Sequence, residues 1–210
     1  MRPESPIRLP AAADSGVRAV AFDLDGTLVH SALDFDAMRA ETGCPPGMGL
    51  LEYLGTLTDP DAVCRGHRVI ERHELAGARD STWMPGAQSL LAGLRALGLP
   101  TAILTRNMRP AVELVRERLG LDVDVVVTRE DCAPKPSPDG LHRIADALSV
   151  PVRQLVYVGD FLYDLQAARA AGALACLYLQ NGNAHYAGHA DWVVSHHDQL
   201  GEWFRQRYGG

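Results

Sequence analysis

The chain has 210 residues, of which 47% are hydrophobic and 22% are charged, and its formal net charge is −6 at pH 7. This length and composition are typical of a globular protein with one main core and room for a small inserted segment. The negative charge argues against a general nucleic-acid-binding surface, and no apolar run approaches the length of a membrane span. We therefore expect neither nucleic acid nor a membrane as a partner.

The first 16 residues contain proline, alanine, serine, glycine and charged side chains, without the apolar centre of a signal peptide. We predict that residues 1–16 form a flexible N-terminal lead-in. The four cysteines are scattered without Cys-x-x-Cys spacing: Cys44, Cys64, Cys132 and Cys176. Free thiols in a reducing cytoplasm are therefore expected, rather than disulfides or a zinc site.

The first predicted strand is the apolar run Ala19–Phe22, which is followed at once by Asp23, Asp25 and Gly26. Such a run is typical of a strand that is buried on both faces of a parallel sheet. Ligands of open α/β sheets bind at the carboxyl ends of the strands, so two carboxylates lie where a ligand would bind. A carboxylate nucleophile, a second carboxyl and a hard metal ion together suit phosphoryl transfer. Aspartate and glycine are also common in plain turns, which is the alternative.

Residues 32–83 have no strand pattern and are predicted to be helical. Three helices are expected, at about 34–41, 50–57 and 59–77, and in the third Asp59 is the N-cap with Pro60 at the first helical position. Because this stretch interrupts the series after the first strand, we predict that it is a cap over the carboxyl edge of the sheet.

Strands and helices alternate after Pro85. Strands are predicted at 101–104, 123–127, 155–158, 174–179 and 192–194, and helices at 86–97, 109–119, 138–148, 163–171 and 199–208. This alternation predicts an α/β fold, a Rossmann-like doubly wound parallel sheet with a small α-helical cap inserted after the first strand. The core would comprise residues 17–31 and 84–210, and the cap residues 32–83.

Polar side chains follow three further predicted strands. Thr105 and Arg106 follow the strand 101–104, where a hydroxyl and a backbone N–H can bind a phosphate oxygen or simply form a turn. Lys135 is the only lysine in the chain, and it is flanked by two prolines that restrict its backbone, although an exposed lysine is the alternative. Asp160 and Asp164 follow the strand 155–158, where they could orient a divalent cation or cap the next helix.

The order Asp-x-Asp-Gly-Thr, Thr, Lys and Gly-Asp-x-x-x-Asp, each after a predicted parallel strand, resembles the haloacid dehalogenase superfamily. The resemblance extends from about Ala19 to Ala175 and implies a haloacid dehalogenase-like core. The helical insertion is similar in position to the first-type cap of that superfamily. The combination of motifs is specific, whereas no single one of them is.

The resemblance also implies roles for the residues. Asp23 would be the nucleophile that becomes an aspartyl-phosphate, Asp25 the general acid and base, and Thr27 a residue that orients their loop. Mg²⁺ would be the cofactor, held by Asp23, Asp25 through its backbone carbonyl, Asp160 and Asp164, the last either as a ligand or behind the ligands. Thr105, Arg106 and Lys135 would bind the phosphoryl group.

The function implied is a Mg²⁺-dependent phosphatase that hydrolyses a small phosphorylated metabolite, such as a phosphoglycolate-like phosphomonoester. Dehalogenases of the superfamily lack the second acid, which is present here as Asp25, and phosphonate-cleaving members need a cap lysine, which residues 32–83 do not contain. A phosphosugar mutase and a catalytically weak protein that binds phosphorylated metabolites remain as alternatives. We expect a monomer or a small homo-oligomer.

The third predicted helix places Arg65, Arg68 and Arg72 on one face. These arginines either form a solvated stripe paired with Glu71 and Glu74, or face the crevice and bind a second anionic group of the substrate.

Four histidines near the carboxyl end are irregularly spaced: His185, His189, His196 and His197. Because their spacing matches no metal-ligand pattern, we expect them to be solvated or to cap a helix.

Overall fold

The computed structural model describes residues 7–10, 16–180 and 182–209. Its strands are β1 (Ala19–Phe22), β2 (Val29–His30), β3 (Thr82–Trp83), β4 (Thr101–Leu104), β5 (Val125–Val127), β6 (Leu155–Gly159), β7 (Leu174–Tyr178) and β8 (Trp192–Val194). Its α-helices are α1 (Phe35–Thr42), α2 (Leu50–Thr56), α3 (Pro60–Asp80), α4 (Ala87–Ala96), α5 (Arg109–Leu119), α6 (Asp139–Ala147), α7 (Leu162–Ala171) and α8 (His197–Tyr208).

Six strands form one parallel sheet in the order β5-β4-β1-β6-β7-β8. The central strand β1 pairs on one side with β4, Val20 opposite Thr101, and on the other with β6, Val20 opposite Val156. The predicted Rossmann-like doubly wound α/β fold is confirmed. Because the chain winds in opposite directions on the two sides of β1, a crevice opens at the carboxyl end of that strand.

Both faces of the sheet are buried. In β1, Val20 and Phe22 pack with the layer that contains α4, α5 and α8, and Ala19 and Ala21 pack with the layer that contains α6 and α7. Successive side chains of a strand point to opposite faces, so a strand covered on both sides reads as a continuous apolar run. This is why the sheet strands were recognisable in the sequence.

The cap helices α1, α2 and α3 have a small core of their own, built from Met38, Cys44, Leu50, Leu54 and Ile70. At the start of α3 the Asp59 carboxylate accepts the N–H of Asp61 at 3.0 Å, and Pro60 is the first helical residue. The three predicted helices are confirmed. The third continues to Asp80, beyond the predicted end.

The prediction that residues 32–83 contain no strand is wrong at Thr82–Trp83. These two residues form β3, which pairs antiparallel with β2, so that Val29 lies opposite Trp83 and His30 opposite Thr82. Two residues are too few to produce a recognisable alternation of polar and apolar side chains. This two-stranded ribbon connects the segment that enters the cap helices with the segment that leaves them.

Within the predicted lead-in, Arg8 is hydrogen-bonded to the edge of the sheet. The Arg8 N–H donates to the Val193 carbonyl at 2.8 Å and the Val193 N–H donates back at 2.7 Å, which extends the sheet at its β8 edge. Residues 1–6 and 11–15 of the predicted lead-in lie outside the described residues.

All four cysteines are free thiols, as expected; Cys44 and Cys176 are buried. Within the described ranges, no helix has both the length and the apolar character needed to cross a bilayer.

Candidate active site

A cavity of about 700 Å³ lies between the carboxyl edge of the sheet and the cap helices. Asp23, Asp25, Lys135, Asp160 and Asp164 all line it. They come from three separate segments of the chain, which follow β1, β5 and β6 of the sheet. The tertiary structure therefore brings together the carboxylates and the lysine that the sequence pointed to.

Lys135 lies at the centre of this site and is almost completely buried, with 4% of its surface exposed. Its ammonium donates to Asp23 Oδ1 and Asp164 Oδ1, both at 2.6 Å, and to the Tyr157 hydroxyl at 2.9 Å. These contacts use all three donors of the ammonium group. Burial alone would lower the pKa of Lys135, but Asp164 and Asp23 together raise it, so the buried cation stays charged.

Asp164 has two functions at once. Its Oδ2 accepts the N–H of Phe161 at 3.0 Å and so caps α7, while its Oδ1 accepts from Lys135. The helix-capping alternative for this residue is therefore correct, and it does not remove the carboxylate from the site. Gly159 makes the close approach possible, because a Cβ at that position would lie 2.4 Å from the Asp164 side chain.

Asp160 is held by Gln180, a residue that sequence reasoning missed. The Gln180 Nε2 donates to Asp160 Oδ2 at 3.1 Å and also to the Gly26 carbonyl. Gly26 has a φ of +82°, and a Cβ there would lie 2.6 Å from Asp160 Oδ2. A left-handed turn without a side chain thus lets the loop after β1 contact the loop after β6.

Asp23, Asp160 and Asp164 each offer one carboxylate oxygen, and these oxygens lie within 4.8 Å of one another. Burial, together with the neighbouring acids, raises the pKa of Asp160 to about 7 and that of Asp23 well above its usual value, while Lys135 opposes both shifts. Three crowded carboxylates form an oxygen donor set that suits a hard divalent cation, which prefers oxygen ligands. The residues present therefore fit Mg²⁺. The Asp25 carboxylate is not part of this group of three.

Asp25 contacts Asn107, a second residue that sequence reasoning missed. The Asn107 Nδ2 donates to Asp25 Oδ2 at 3.1 Å, while Asp25 Oδ1 is buried and makes no hydrogen bond with any described residue. Burial raises the pKa of Asp25, against the effect of its hydrogen bonds. The only signal in the sequence was a polar side chain shortly after a predicted strand.

The three predicted phosphate-binding residues differ in where they lie relative to the cavity. Thr105 is buried and its hydroxyl accepts the Asn107 N–H at 3.1 Å, behind the residues that line the cavity. Arg106 does line the cavity, but its guanidinium donates to both carboxylate oxygens of Glu52 in α2, each at 2.7 Å. It also lies over the Tyr163 ring, 5.0 Å from the centroid. Of the three, Lys135 alone contacts the acidic cluster.

The hypothesis that Arg65, Arg68 and Arg72 face the crevice is wrong. All three are exposed and none of them lines the cavity, whereas Ile70 and Glu74 of the same helix do. Their partners lie within the cap and are Asp59, Cys64 and Glu41 respectively. The solvated alternative is correct, although the predicted partners Glu71 and Glu74 are not the ones used.

Glu74 instead links the cap to the core. Its carboxylate accepts the Met108 N–H, at the start of α5, at 3.1 Å and forms an ion pair with Arg129. Only 7% of the residue is exposed. Burial raises the pKa of Glu74 to about 7, although Arg129 and the hydrogen bonds oppose the shift.

This shift predicts a pH-dependent effect of Glu74→Gln. The carboxyl has a pKa of 4.5 when unperturbed and about 7 when folded, so between these values the folded state binds more protons and stability falls as pH rises. Glutamine cannot titrate. We expect the free energy of unfolding of the variant, relative to wild type, to increase by about 2–3 kcal/mol between pH 4.5 and pH 7.5.

Urea unfolding at the two pH values measures this difference. Glu71→Gln is the matched control, because Glu71 is exposed on the same helix, and such a surface substitution should change the free energy of unfolding by no more than about 0.5 kcal/mol. A difference for Glu74→Gln that is equal at both pH values would contradict the assignment.

The histidines were expected to be solvated or capping, and this is wrong for His197. His196 does cap α8, accepting the Asp198 N–H at 3.2 Å, and His185 and His189 are exposed. His197 is fully buried, lies 2.7 Å through Nε2 from the Thr27 carbonyl, and stacks on Tyr178 at 4.4 Å. Burial lowers its pKa to about 4, so the neutral ring donates to the loop that carries Asp23 and Asp25.

Thr27 was expected to orient the loop of Asp23 and Asp25, and its backbone carbonyl is the atom that anchors this loop to His197. Its hydroxyl is buried and has no hydrogen-bond partner among the described residues.

Comparisons with known proteins identify relatives. The model of the haloacid dehalogenase-like hydrolase family matches residues 36–172. A phosphoglycolate phosphatase of Neisseria meningitidis is 34% identical, over 78% of this chain and 81% of its own. A haloacid dehalogenase-like hydrolase domain-containing protein of Arabidopsis thaliana is 28% identical, over 81% of this chain and 74% of its own.

Solved structures share the fold. The crystal structure of CbbY from Rhodobacter sphaeroides in complex with phosphate has a TM-score of 0.68 and 26% sequence identity, and the match covers 88% of this chain and 96% of that one. A hydrolase from Pseudomonas syringae has a TM-score of 0.73 and 25% identity, with 90% and 98% covered.

Proposed function

The chain belongs to the haloacid dehalogenase-like hydrolase family and is a phosphoric monoester hydrolase, and from this premise we propose that it hydrolyses a small phosphorylated metabolite with Mg²⁺ through a phosphorylated Asp23. The observation that carries the proposal is the buried contact of Lys135 with Asp23 and Asp164 beside Asp160. Such a cluster supplies a nucleophile, a fixed cation and a set of oxygen ligands in one place.

In the first step a carboxylate oxygen of Asp23 attacks phosphorus, and the bond from phosphorus to the leaving oxygen breaks. The carboxyl of Asp25 gives its proton to that leaving oxygen, which departs as an alcohol. This requires a protonated Asp25, and the raised pKa that burial gives it favours that state. Asn107, which donates to the same carboxyl, orients it.

In the second step a water molecule attacks the phosphorus of the phosphorylated Asp23 and loses a proton to the Asp25 carboxylate. Inorganic phosphate leaves and Asp23 is regenerated. Lys135 carries the positive charge that stabilises the phosphoryl oxygens, fixed in place by Asp164 and Tyr157. Mg²⁺ held by Asp23, Asp160 and Asp164, with the Asp25 backbone carbonyl, would offset the negative charge of the phosphoryl group.

The first substrate to test is phosphoglycolate, because the relative from Neisseria meningitidis is a phosphoglycolate phosphatase. The free thiols favour a reducing compartment, and the proposal places the protein in the cytoplasm.

Phosphate release from a panel of phosphomonoesters, with Mg²⁺ and with EDTA, tests the proposal. We expect release with Mg²⁺ only, and p-nitrophenyl phosphate belongs in the panel as a general substrate. Conversion of one phosphosugar into another without release would instead assign a mutase. Binding of phosphorylated metabolites without turnover would assign a binding protein.

A further inference from the structure

The cavity is larger than a phosphoryl group requires. Its volume of about 700 Å³ is within the range of roughly 300–1,000 Å³ found for pockets that enclose drug-sized ligands. The polar cluster around Lys135 occupies the side formed by the sheet. The opposite side, which the cap helices and their flanking loops provide, is largely apolar; we call it the apolar wall, and it comprises Leu33, Phe35, Met38, Met48, Leu50, Leu51 and Ile70.

Exposed hydrophobic side chains concentrate at this cavity. Among the described residues the large hydrophobic side chains that are exposed are Ile7, Phe35, Met48 and Phe161, and the last three all line the cavity. Phe35, the first residue of α1, is 54% exposed, and Phe161, which precedes α7, is 48% exposed. Large apolar groups left in water at one opening indicate a site that binds an apolar group.

The lysine and the two arginines among the described residues that line the cavity have different partners. Lys135 belongs to the phosphoryl site, and Arg106 is neutralised by both oxygens of Glu52. Arg39 donates to the carbonyl oxygens of Pro45 and Met48, so it ties α1 to the following turn. Among the described residues that line the cavity, Arg106 is thus paired with a carboxylate, and Arg39 is held by backbone carbonyls of its own cap segment.

We propose that the site selects phosphomonoesters whose alcohol part is an apolar chain or ring over esters of the same length that end in a carboxylate. This inference rests on the proposed function, since it concerns the leaving group of that same reaction. The phosphoryl group lies at Lys135 and the organic part extends along the apolar wall to Phe35 and Phe161.

A series of primary alkyl phosphates tests the inference, because ethyl, butyl and hexyl phosphate have leaving groups of nearly equal acidity. We expect kcat/KM to rise about two- to fourfold for each added methylene that the wall buries. The matched ester 5-carboxypentyl phosphate ends in a carboxylate in place of the terminal methyl of hexyl phosphate. Its kcat/KM should be at least tenfold lower.

Phe35→Ser and Phe161→Ser should each lower the ratio of kcat/KM for hexyl phosphate to that for ethyl phosphate by threefold or more. Ile7→Ser is the matched control, because Ile7 is 40% exposed and does not line the cavity. It should leave this ratio and the activity unchanged.

Three results would overturn the inference. Rates that do not depend on chain length, while phosphate is still released, would contradict it alone and leave the proposed function intact. A preference for 5-carboxypentyl phosphate that is lost in Arg39→Met would assign the cavity to carboxylates. A ratio that stays unchanged in Phe35→Ser and Phe161→Ser, with a change of oligomeric state, would assign the exposed phenylalanines to an interface between copies.

Failure of every ester, including p-nitrophenyl phosphate, to release phosphate would contradict the proposed function and the inference with it.

Discussion

Asp23→Asn is expected to lower kcat by at least about a thousandfold, because an amide cannot form the acyl-phosphate that divides the reaction into two steps. The substitution is nearly isosteric, and the asparagine oxygen can still accept from Lys135, which lies 2.6 Å from the present carboxylate. The fold should therefore be retained. Steady-state phosphate release measures the loss, and acid quenching followed by peptide mass spectrometry locates the phosphorylated aspartate in the wild type.

Asp36→Asn is the matched control, because Asp36 is an exposed carboxylate on the cavity wall that lies outside the acidic cluster. Its kcat should stay close to wild type. Beryllium fluoride with Mg²⁺, an acyl-phosphate mimic, should raise the Tm of wild type but not of Asp23→Asn. Turnover by Asp23→Asn within tenfold of wild type would exclude the covalent mechanism.

Lys135→Ala is expected to lower kcat/KM by about 30- to 1,000-fold, which corresponds to about 2–4 kcal/mol of transition-state stabilisation. The same change removes the only cation that contacts Asp23 and Asp164 in the described cluster. Breaking a buried ion pair in this way costs about 3–5 kcal/mol of stability, because the partner charges lose their compensation. Kinetics and urea unfolding measure the two effects separately.

Addition of Mg²⁺ distinguishes the loss of activity in Lys135→Ala from the loss of stability. If the carboxylates hold the cation as proposed, Mg²⁺ should restore more stability to Lys135→Ala than it adds to wild type, while kcat/KM stays low. Arg95→Ala is the control for loss of a cation, since its ion pair with Asp122 is well exposed and such pairs contribute at most about 1 kcal/mol. A kcat/KM for Lys135→Ala near that of wild type would remove this residue from the phosphoryl site.

The sequence was sufficient to predict the sheet and the acidic and basic residues at its edge. Strands buried on both faces must be apolar throughout, so Ala19–Phe22 and Leu155–Gly159 were recognisable as strands. In a parallel sheet the carboxyl ends of the strands meet at one edge. The polar residues that follow separate strands, such as Asp23 and Asp160, were therefore expected to lie together before any distance was known.

Only the tertiary structure decided which partner each side chain has. Periodicity placed Arg65, Arg68 and Arg72 on one face of α3, but it could not say that Ile70 and Glu74 face the cavity. A helical pattern defines which residues share a face, whereas the neighbour of that face depends on how the whole cap packs on the core.

The same limit applies to the long-range contacts that were missed. Gln180 and Gly26 are 154 positions apart, His197 and Thr27 are 170 apart, and Arg106 is 54 positions from Glu52. Local propensity and spacing act over a few residues, so they contain no information about such pairs. Packing of the cap, of α8 and of the loop after β7 against the carboxyl edge of the sheet makes these contacts.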